Sequence, residues 1–355
     1  MKSKVTAIAN SLAAIIIIVI IIVAGVGIYY SSTLSSGKTT TVVSSATTTP
    51  TALIPISIAL ATPAQFSQLD IFIAQQEGFF AQNGLKVTLD EVQGAPPMFA
   101  ALTSGSTQFA AFGWTDVVNL YLHGEPVQSV FDFNYAPGFI LEGNPGSPYT
   151  SIASLQGQNV GVAAPDLTQF LMMAIFNDSG YNPNTFAHFV YVGIGGSAYA
   201  AVKAGTVVAA LQSTPFAIEQ LEDGNASQVF NMASYPVADF AAPLLDGLSG
   251  YMAANPGIVH AMVKSLLEAA QYVHSNEAGT LALCSKIYQG VPAAALQTMY
   301  TNNVPMMPAN GTAPLTAFKA AWALDLEGNV VNSTTSFTKL YQATVNDTYI
   351  TQALG

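Results

Sequence analysis

The apolar residues of this chain form one long run near the N-terminus and many short runs after it. Residues 12–30 carry no charged side chain, and a helix that crosses a membrane needs roughly 20 apolar residues. Lys2 and Lys4 precede the run, whereas the next lysine is Lys38. This bias keeps the N-terminus in the cytoplasm and exports the remainder of the chain. The pattern predicts one span within residues 1–30 and a body on the extracytoplasmic side of the cell membrane, with a cleaved signal peptide as the alternative.

The rest of the chain alternates between strand-like and helix-like patterns. Residues 31–53 are mostly Ser and Thr and predict a flexible tether. Alternating β-branched and small residues from Ile54 to Leu60 predict a first strand. A helix is expected through 70–76 and a second strand through 86–92. Because strands continue to alternate with helices, the sequence predicts an α/β protein with mainly parallel sheets.

A repeat with a period of about 100 residues divides the globular part in two. Residues 100–105 return as 200–205, and residues 58–63 return with a slightly larger offset as 160–165. Two similar halves of this kind predict two lobes, with a ligand crevice at the carboxyl ends of their strands. The predicted boundaries are 54–134 plus 246–355 for lobe 1 and 135–245 for lobe 2.

The candidate ligand contacts are residues at the strand ends and residues near the boundary between the two predicted lobes. On the lobe 1 side they are Thr62, Phe66, Gln68, Gly94, Ala95, Trp114, Thr115 and Asn134. On the lobe 2 side they are Tyr135, Asp166, Thr168, Gln169, Gly195, Thr214 and Phe216. Structural alternatives exist, since Trp114 is also a core candidate and Asp116 or Asp166 a natural helix N-cap. If Asp166 points into the crevice instead, it favours a cationic or amine-bearing ligand.

The charge composition narrows the class of partner. The chain has a net charge of −11, and its nine basic residues are all lysines, without a single Arg. Nucleic acid is therefore a poor partner, because phosphate binding needs clustered basic groups. An anionic ligand also lacks its strongest clamp, although backbone N–H groups at helix N-termini still attract anions. A neutral or amine-bearing solute is the prediction.

Motifs for catalysis, metals and cofactors give no support for an enzyme. Residues 193–198 match G-x-G-x-x-A after a strand, but Gln212 stands where a dinucleotide site needs an acidic residue. The four His residues lack metal-ligand spacing, and no nucleophile motif occurs. Cys284 lies in an apolar helical context and is expected in the core. We therefore expect no catalytic residue, no metal and no cofactor.

Three segments resemble one family of transport receptors. They are Phe72 to Val87 with its Gly78-Phe79-Phe80 and Gly84-Leu85, Ala100 to Gly105, and Ser151 to Val162. Together they resemble the nitrate/sulfonate/taurine-type substrate-binding proteins of ABC importers, a type II periplasmic-binding-protein family. The resemblance covers roughly residues 55–275, and an N-terminal anchor is the archaeal style of such receptors.

The resemblance implies a two-lobed receptor with a hinge. It would capture a small organic solute and deliver it to ABC permease subunits with a cytoplasmic ATPase behind them. Two departures concern the ligand, because Gln108 and Val208 stand where the family often has Asp. The alternative is an exported enzyme on the same scaffold, related to pyrimidine-precursor synthesis. It would need a titratable pair, and Asp116 and Asp166 are the pair that the sequence offers.

Overall fold

A computed structural model describes residues 52–61, 64–92, 94–136, 138–164, 166–235 and 239–355. The predicted membrane anchor and most of the predicted tether lie outside these residues. Within the described part of the chain, no helix is both long and apolar enough to span a bilayer.

Lobe 1 is built on a five-stranded sheet. Its strands are β1 (Ile54–Ala61), β2 (Leu85–Val92), β3 (Phe109–Phe112), β4 (Val127–Asp132) and β10 (Leu244–Leu248), and they lie in the order β2-β1-β3-β10-β4. Its first helices are α1 (Leu69–Gln76), α2 (Phe79–Gln82), α3 (Ala95–Thr103) and α4 (Trp114–Leu122). Strand β1 is parallel to β2 and β3, whereas β10 is antiparallel to both of its neighbours.

Lobe 2 repeats this plan. Its strands are β5 (Ile140–Gly143), β6 (Asn159–Val162), β7 (His188–Tyr191), β8 (Ala209–Gln212) and β9 (Ser227–Asn231), and they lie in the order β7-β6-β8-β5-β9. Its helices are α5 (Leu167–Asp178), α6 (Gly196–Lys203) and α7 (Phe216–Glu222). Here β5 is the antiparallel strand. In each sheet the antiparallel strand is the first that the chain forms after crossing from the other lobe.

The remaining helices come after β10. They are α8 (Ser249–Ala254), α9 (Pro256–Ser275), α10 (Glu277–Ile287), α11 (Ala293–Asn303), α12 (Leu315–Glu327), α13 (Phe337–Thr344) and α14 (Thr348–Leu354). Helix α9 packs on α1 and α14 of lobe 1, but α12 packs on α4 of lobe 1 and also on α5 of lobe 2. Cys284 is buried in α10, in the lobe 1 core.

The internal repeat is confirmed by the strand registers. In lobe 1, β1 pairs Ala59 with Ala110 of β3, and in lobe 2, β6 pairs Gly161 with Ala210 of β8. Both antiparallel strands are bulged at equivalent places, between Leu245 and Asp246 in β10 and between Leu141 and Glu142 in β5. The two-lobed α/β fold expected from the sequence is therefore confirmed.

Two chain segments connect the lobes, and they run side by side. One joins β4 to β5 and the other joins β9 to β10. The Phe133 amide donates to the Pro243 carbonyl at 3.1 Å, and the Ala242 amide donates to the Asn134 carbonyl at 3.1 Å. This pairing joins the two crossing segments where the lobes meet.

Candidate functional site

The strand ends of both lobes surround one cavity. It contains about 580 Å³ of space free of atoms, which includes its opening to solvent. From lobe 2 the lining residues are Phe139, Ala163, Asp166, Leu167, Thr168 and Ile194. From lobe 1 the polar lining residues are Gln65, Gln68 and Asp116. The rest of the lobe 1 wall consists of Ala61, Gly94, Ala95, Met98, Ala111, Phe112 and Gly113. Two residues of a crossing segment, Ala242 and Pro243, also line the cavity.

Asp116 enters the cavity because α4 begins directly where β3 ends. The turn contains Gly113, and Asp116 occupies the third helical position of a capping box. Its Oδ2 accepts a hydrogen bond from the Gly113 amide at 3.3 Å. The carboxyl therefore both caps α4 and lies in the cavity wall.

Asp166 is the N-cap residue of α5, the helix that follows β6 in lobe 2. Its Oδ1 accepts hydrogen bonds from the Thr168 amide at 2.9 Å and from the Thr168 hydroxyl at 2.7 Å. The same hydroxyl accepts a hydrogen bond from the Ala163 amide at 3.1 Å. These bonds fix the carboxyl at the cavity wall opposite the one that carries Asp116.

Burial raises the pKa values of both carboxyls. For Asp116, the charge of Asp166 raises the pKa further, and Asp325 of α12 adds a smaller effect of the same sign. Asp325 is itself buried, and its pKa is raised to about 7. Because like charges disfavour each other's ionisation in a desolvated site, ionisation of one carboxyl makes ionisation of the other less favourable.

Gln68 supplies a free hydrogen-bond acceptor at the cavity. The residue is 1% exposed, and among the described residues its Oε1 has no hydrogen-bond partner. A buried acceptor without a partner is costly, by roughly 1–3 kcal/mol. Such an atom in a cavity wall points to a ligand that donates to it.

The two lobes contact each other beside the cavity. The Phe66 amide of lobe 1 donates to the Thr214 carbonyl of lobe 2 at 3.1 Å. At Gly113, an added Cβ would lie 2.9 Å from Leu167 Cδ2 and 3.2 Å from Ala242 Cβ. The absence of a side chain there allows lobe 2 to approach the start of α4.

Comparisons with known proteins agree with this architecture. A family model described as NMT1/THI5 like matches residues 65–279. The chain belongs to the NMT1/THI5-like family. No curated protein matches the sequence of this NMT1/THI5-like protein.

Solved structures of the same fold belong mainly to transport receptors. The alkanesulfonate-binding protein SsuA from Xanthomonas axonopodis pv. citri, bound to MOPS, has 17% identity and a TM-score of 0.67, covering 83% of this chain and 99% of that one. The periplasmic nitrate-binding protein NrtA from Synechocystis PCC 6803 has 13% identity and a TM-score of 0.71, with coverages of 85% and 88%. The desulfurization enzyme DSZB has 15% identity and a TM-score of 0.57, with coverages of 85% and 99%. At these identities the likeness establishes a shared fold.

Five of the residues proposed from the sequence lie together at the cavity of this NMT1/THI5-like protein. They are Gln68, Gly94, Ala95, Asp166 and Thr168. Their ligand contacts remain a prediction. Thr62 lies outside the described residues.

Trp114 and Thr115 lie in the core behind the cavity instead. Trp114 is fully buried, and its indole N–H donates to the Thr344 hydroxyl at 2.9 Å. Thr115 faces Asp325 and lowers the pKa of that carboxyl. Both side chains turn inward because the first turn of α4 is covered by α12 and α13, so the turn presents Gly113 and Asp116 to the cavity.

Asn134 and Tyr135 belong to the hinge. Asn134 Oδ1 accepts a hydrogen bond from the Ala136 amide at 2.6 Å. The Tyr135 hydroxyl donates to the Pro305 carbonyl at 3.2 Å. These bonds shape the crossing segment and do not place either side chain in the cavity wall.

Phe66, Phe216 and Gln169 are not among the residues that line the cavity. Phe66 stacks on Tyr288, and Phe216 meets Tyr199 edge to face. Gln169 Oε1 accepts a hydrogen bond from the Tyr191 hydroxyl at 3.0 Å.

Gly195 and Thr214 form hydrogen bonds through their backbone groups. The Gln212 amide group bonds both the N–H and the carbonyl of Gly195. Thr214 accepts the bond from Phe66 that joins the two lobes.

Sequence patterns missed several apolar wall residues. Met98 lies one helical turn after Ala95, and helical spacing from the Gly94 turn would have indicated it. Leu167 sits between Asp166 and Thr168 but resembles any core position of a helix. Phe139 comes after the crossing segment, where no pattern distinguishes a wall residue from a core residue.

No group of three or more His, Cys, Asp or Glu side chains in the described ranges is arranged to hold a metal ion.

Proposed function

We propose that this protein is the extracytoplasmic solute-binding component of an ABC importer. The observation that carries the proposal is the cavity enclosed between two lobes that share a pair of crossing segments. A site built half from each lobe is occupied and sealed by one motion, so binding is coupled to a change of shape. The receptors of known structure that share the fold support the same interpretation.

The contacts suggest a closing motion for this proposal. The crossing segments are joined by hydrogen bonds between Phe133 and Pro243 and between Asn134 and Ala242, and we expect these bonds to be kept while the lobes turn. In the closed form Leu167 meets the start of α4 at Gly113, and the bond from Phe66 to Thr214 ties the rims together. A solute held by both walls stabilises this form over the open one, and a permease can distinguish the two forms.

The membrane-related part of the proposal concerns residues 1–53. We propose that residues 1–30 anchor the chain in the cell membrane and that the Ser/Thr-rich segment up to residue 53 tethers the lobes near permease subunits. Such an attachment keeps the receptor at high local concentration around its transporter.

An enzyme on the same scaffold is the second candidate. The observation in its favour is the pair Asp116 and Asp166, whose raised pKa values would suit proton transfer. We favour the receptor because the carboxyls are already engaged as helix caps, and the fold is shared with several transport receptors.

The proposal is tested by gentle purification followed by mass spectrometry of the released small molecules. We expect a stoichiometric solute, and a smaller radius of gyration in solution scattering when that solute is added back to the stripped protein. Turnover of the solute, abolished by Asp166→Asn, would establish the enzyme instead. Absence of any bound solute, together with no compaction by any member of a broad metabolite library, would contradict the receptor.

A further inference from the structure

The charges around the cavity are of one sign. Asp116 and Asp166 are its only ionisable wall residues among those described. The described residues contain one ion pair, Lys264 with Glu268 at 3.9 Å, and neither lies in the cavity wall. Two carboxyls therefore face a common space without a basic residue beside them.

Two of the helix N-termini at this site are occupied by the protein's own carboxyls. In receptors that bind anions, free backbone N–H groups at such termini are suitable partners. Here Asp116 accepts from the Gly113 amide at the start of α4, and Asp166 accepts from the Thr168 amide at the start of α5. At these two termini the protein's own carboxyls take the position that an anion would take, and a carboxylate charge there would repel an anion.

Gln68 is an independent observation that points to a ligand. Its Oε1 has no partner in the described part of the chain, although the residue is 1% exposed and lines the same cavity. A ligand N–H group would satisfy this acceptor. Together with the two carboxyls, it gives three acceptor groups that come from both lobes.

We infer that the cleft binds a compact cationic ligand whose N–H groups bridge Asp116 of lobe 1, Asp166 of lobe 2 and the side-chain carbonyl of Gln68. The inference rests on the proposed function and assigns its ligand class. An amidinium-like group or a protonated amine fits, because either presents several N–H donors that diverge. The apolar side chains of Met98, Phe112 and Phe139 leave room for a small hydrocarbon substituent.

Cation binding explains why the two carboxyls lie on opposite lobes. When the cleft closes without a ligand, the pair must keep a proton or suffer like-charge repulsion. A cation between them removes the repulsion, so it favours the closed form specifically. Binding then releases a proton, and affinity rises with pH as the pair ionises.

The test uses the stripped protein and three matched pairs of probes. Acetamidinium is compared with acetamide, benzamidinium with benzamide, and methylammonium with methanesulfonate, by isothermal titration calorimetry between pH 5 and pH 8. We expect at least one cation to bind, its neutral or anionic counterpart to bind about tenfold more weakly or not at all, and protons to be released on binding.

Substitutions assign the effect to the proposed atoms. Asp116→Asn and Asp166→Asn should each weaken cation binding about tenfold or more, while the unliganded variants melt no lower than the wild type because a repulsion is removed. Asp223→Asn, a change of the same charge at the exposed end of α7, is the control and should leave affinity unchanged. Gln68→Leu should also weaken binding, with the carboxyl pair intact.

The outcomes separate this inference from the function on which it rests. If methanesulfonate binds and all three cations fail, or if calcium chloride binds and they fail, the ligand class is overturned and the receptor stands. Cation binding that survives both Asn substitutions would place the site elsewhere and also overturn the inference. If the purified protein carries no solute and no library compound compacts it, the receptor itself fails.

Discussion

At the scale of single residues, two buried carboxyls at equivalent positions of the two lobes differ in their hydrogen bonds. Asp246 comes directly after the β10 bulge, and its carboxyl accepts hydrogen bonds from the Phe112 amide at 2.9 Å and from the Ser129 hydroxyl at 2.6 Å. Glu142 comes after the equivalent β5 bulge and is 3% exposed, yet among the described residues neither of its oxygens has a partner. Burial raises the pKa of Glu142 to about 8.

We expect Glu142→Gln to stabilise the protein in a pH-dependent way. The pKa of Glu142 is about 4.5 in the unfolded chain and about 8 in the folded chain. Between these pH values the carboxyl must take up a proton when the wild type folds, so the wild type loses stability as the pH rises. The gain in free energy of unfolding should be near zero at pH 4 and reach about 1–3 kcal/mol at pH 8. Urea unfolding at both pH values measures it, with the exposed Glu222→Gln as control. Equal stability of the variant and the wild type at pH 8 would show that Glu142 ionises at little cost.

At the scale of elements, the junctions between strands and helices create the site. In lobe 1 only Gly113 separates β3 from α4, and the Asp116 carboxyl accepts from the Gly113 amide. In lobe 2 residues 163–166 separate β6 from α5, and the Asp166 carboxyl accepts from the Thr168 amide. Helix α12 packs on both helices and places Asp325 beside Thr115. The closed form therefore depends on how tightly the starts of α4 and α5 approach.

We expect Gly113→Ala to weaken ligand binding through the closed form. The backbone φ of Gly113 is −84°, so alanine is not strained there, but its methyl group would meet Leu167 at 2.9 Å. Displacing lobe 2 by a few tenths of an ångström should cost about 1 kcal/mol, or roughly fivefold in the dissociation constant of the copurified solute. Titration calorimetry gives this ratio.

Gly250→Ala in α8 is the control, because no atom lies within 4 Å of the added Cβ. The same affinity in both alanine variants would mean that closure does not bring Leu167 against α4.

At the scale of the whole molecule, seven buried carboxyls form no ion pair within the described residues. Their pKa values are all raised by burial. They are Asp70, Asp116, Asp132, Glu142, Asp166, Asp246 and Asp325. Each such group holds its proton more firmly in the folded chain than in the unfolded chain. The folded state therefore binds more protons above pH 4.

We expect the stripped protein to be more stable at pH 4 than at pH 8. The stabilising contribution of a raised carboxyl pKa is complete below the unfolded value, near 4, and is lost as the pH rises through the folded value, which is about 7 for Asp325 and about 8 for Asp132 and Glu142. Calorimetric melting at unit pH steps between 4 and 8 should give a falling melting temperature. A melting temperature that rises over this range would show that these carboxyls are paired or hydrated in solution.

Local patterns in the sequence were sufficient for the architecture and for part of the site. The alternation of strands and helices and the repeat of 100–105 at 200–205 predicted two similar α/β lobes, because periodicity and glycine turns act over short stretches of chain. Strand ends identified Gln68, Gly94, Ala95, Asp166 and Thr168, since the carboxyl ends of parallel strands share one edge of a sheet.

Only the tertiary structure decided which side chains face the cavity. Trp114 and Asp116 are two residues apart in one helical turn, and the packing of α12 and α13 on α4 turns the first into the core and leaves the second at the wall. Asp116 and Asp166 line the same cavity, and the side-chain carbonyl of Gln68 lacks a hydrogen-bond partner among the described residues. Both features arise from contacts between distant parts of the chain. The sequence by itself determined two lobes with a cleft between them, whereas the acidic character of that cleft emerged when the lobes came together, because burial and proximity raise a carboxyl's pKa and neither is encoded locally.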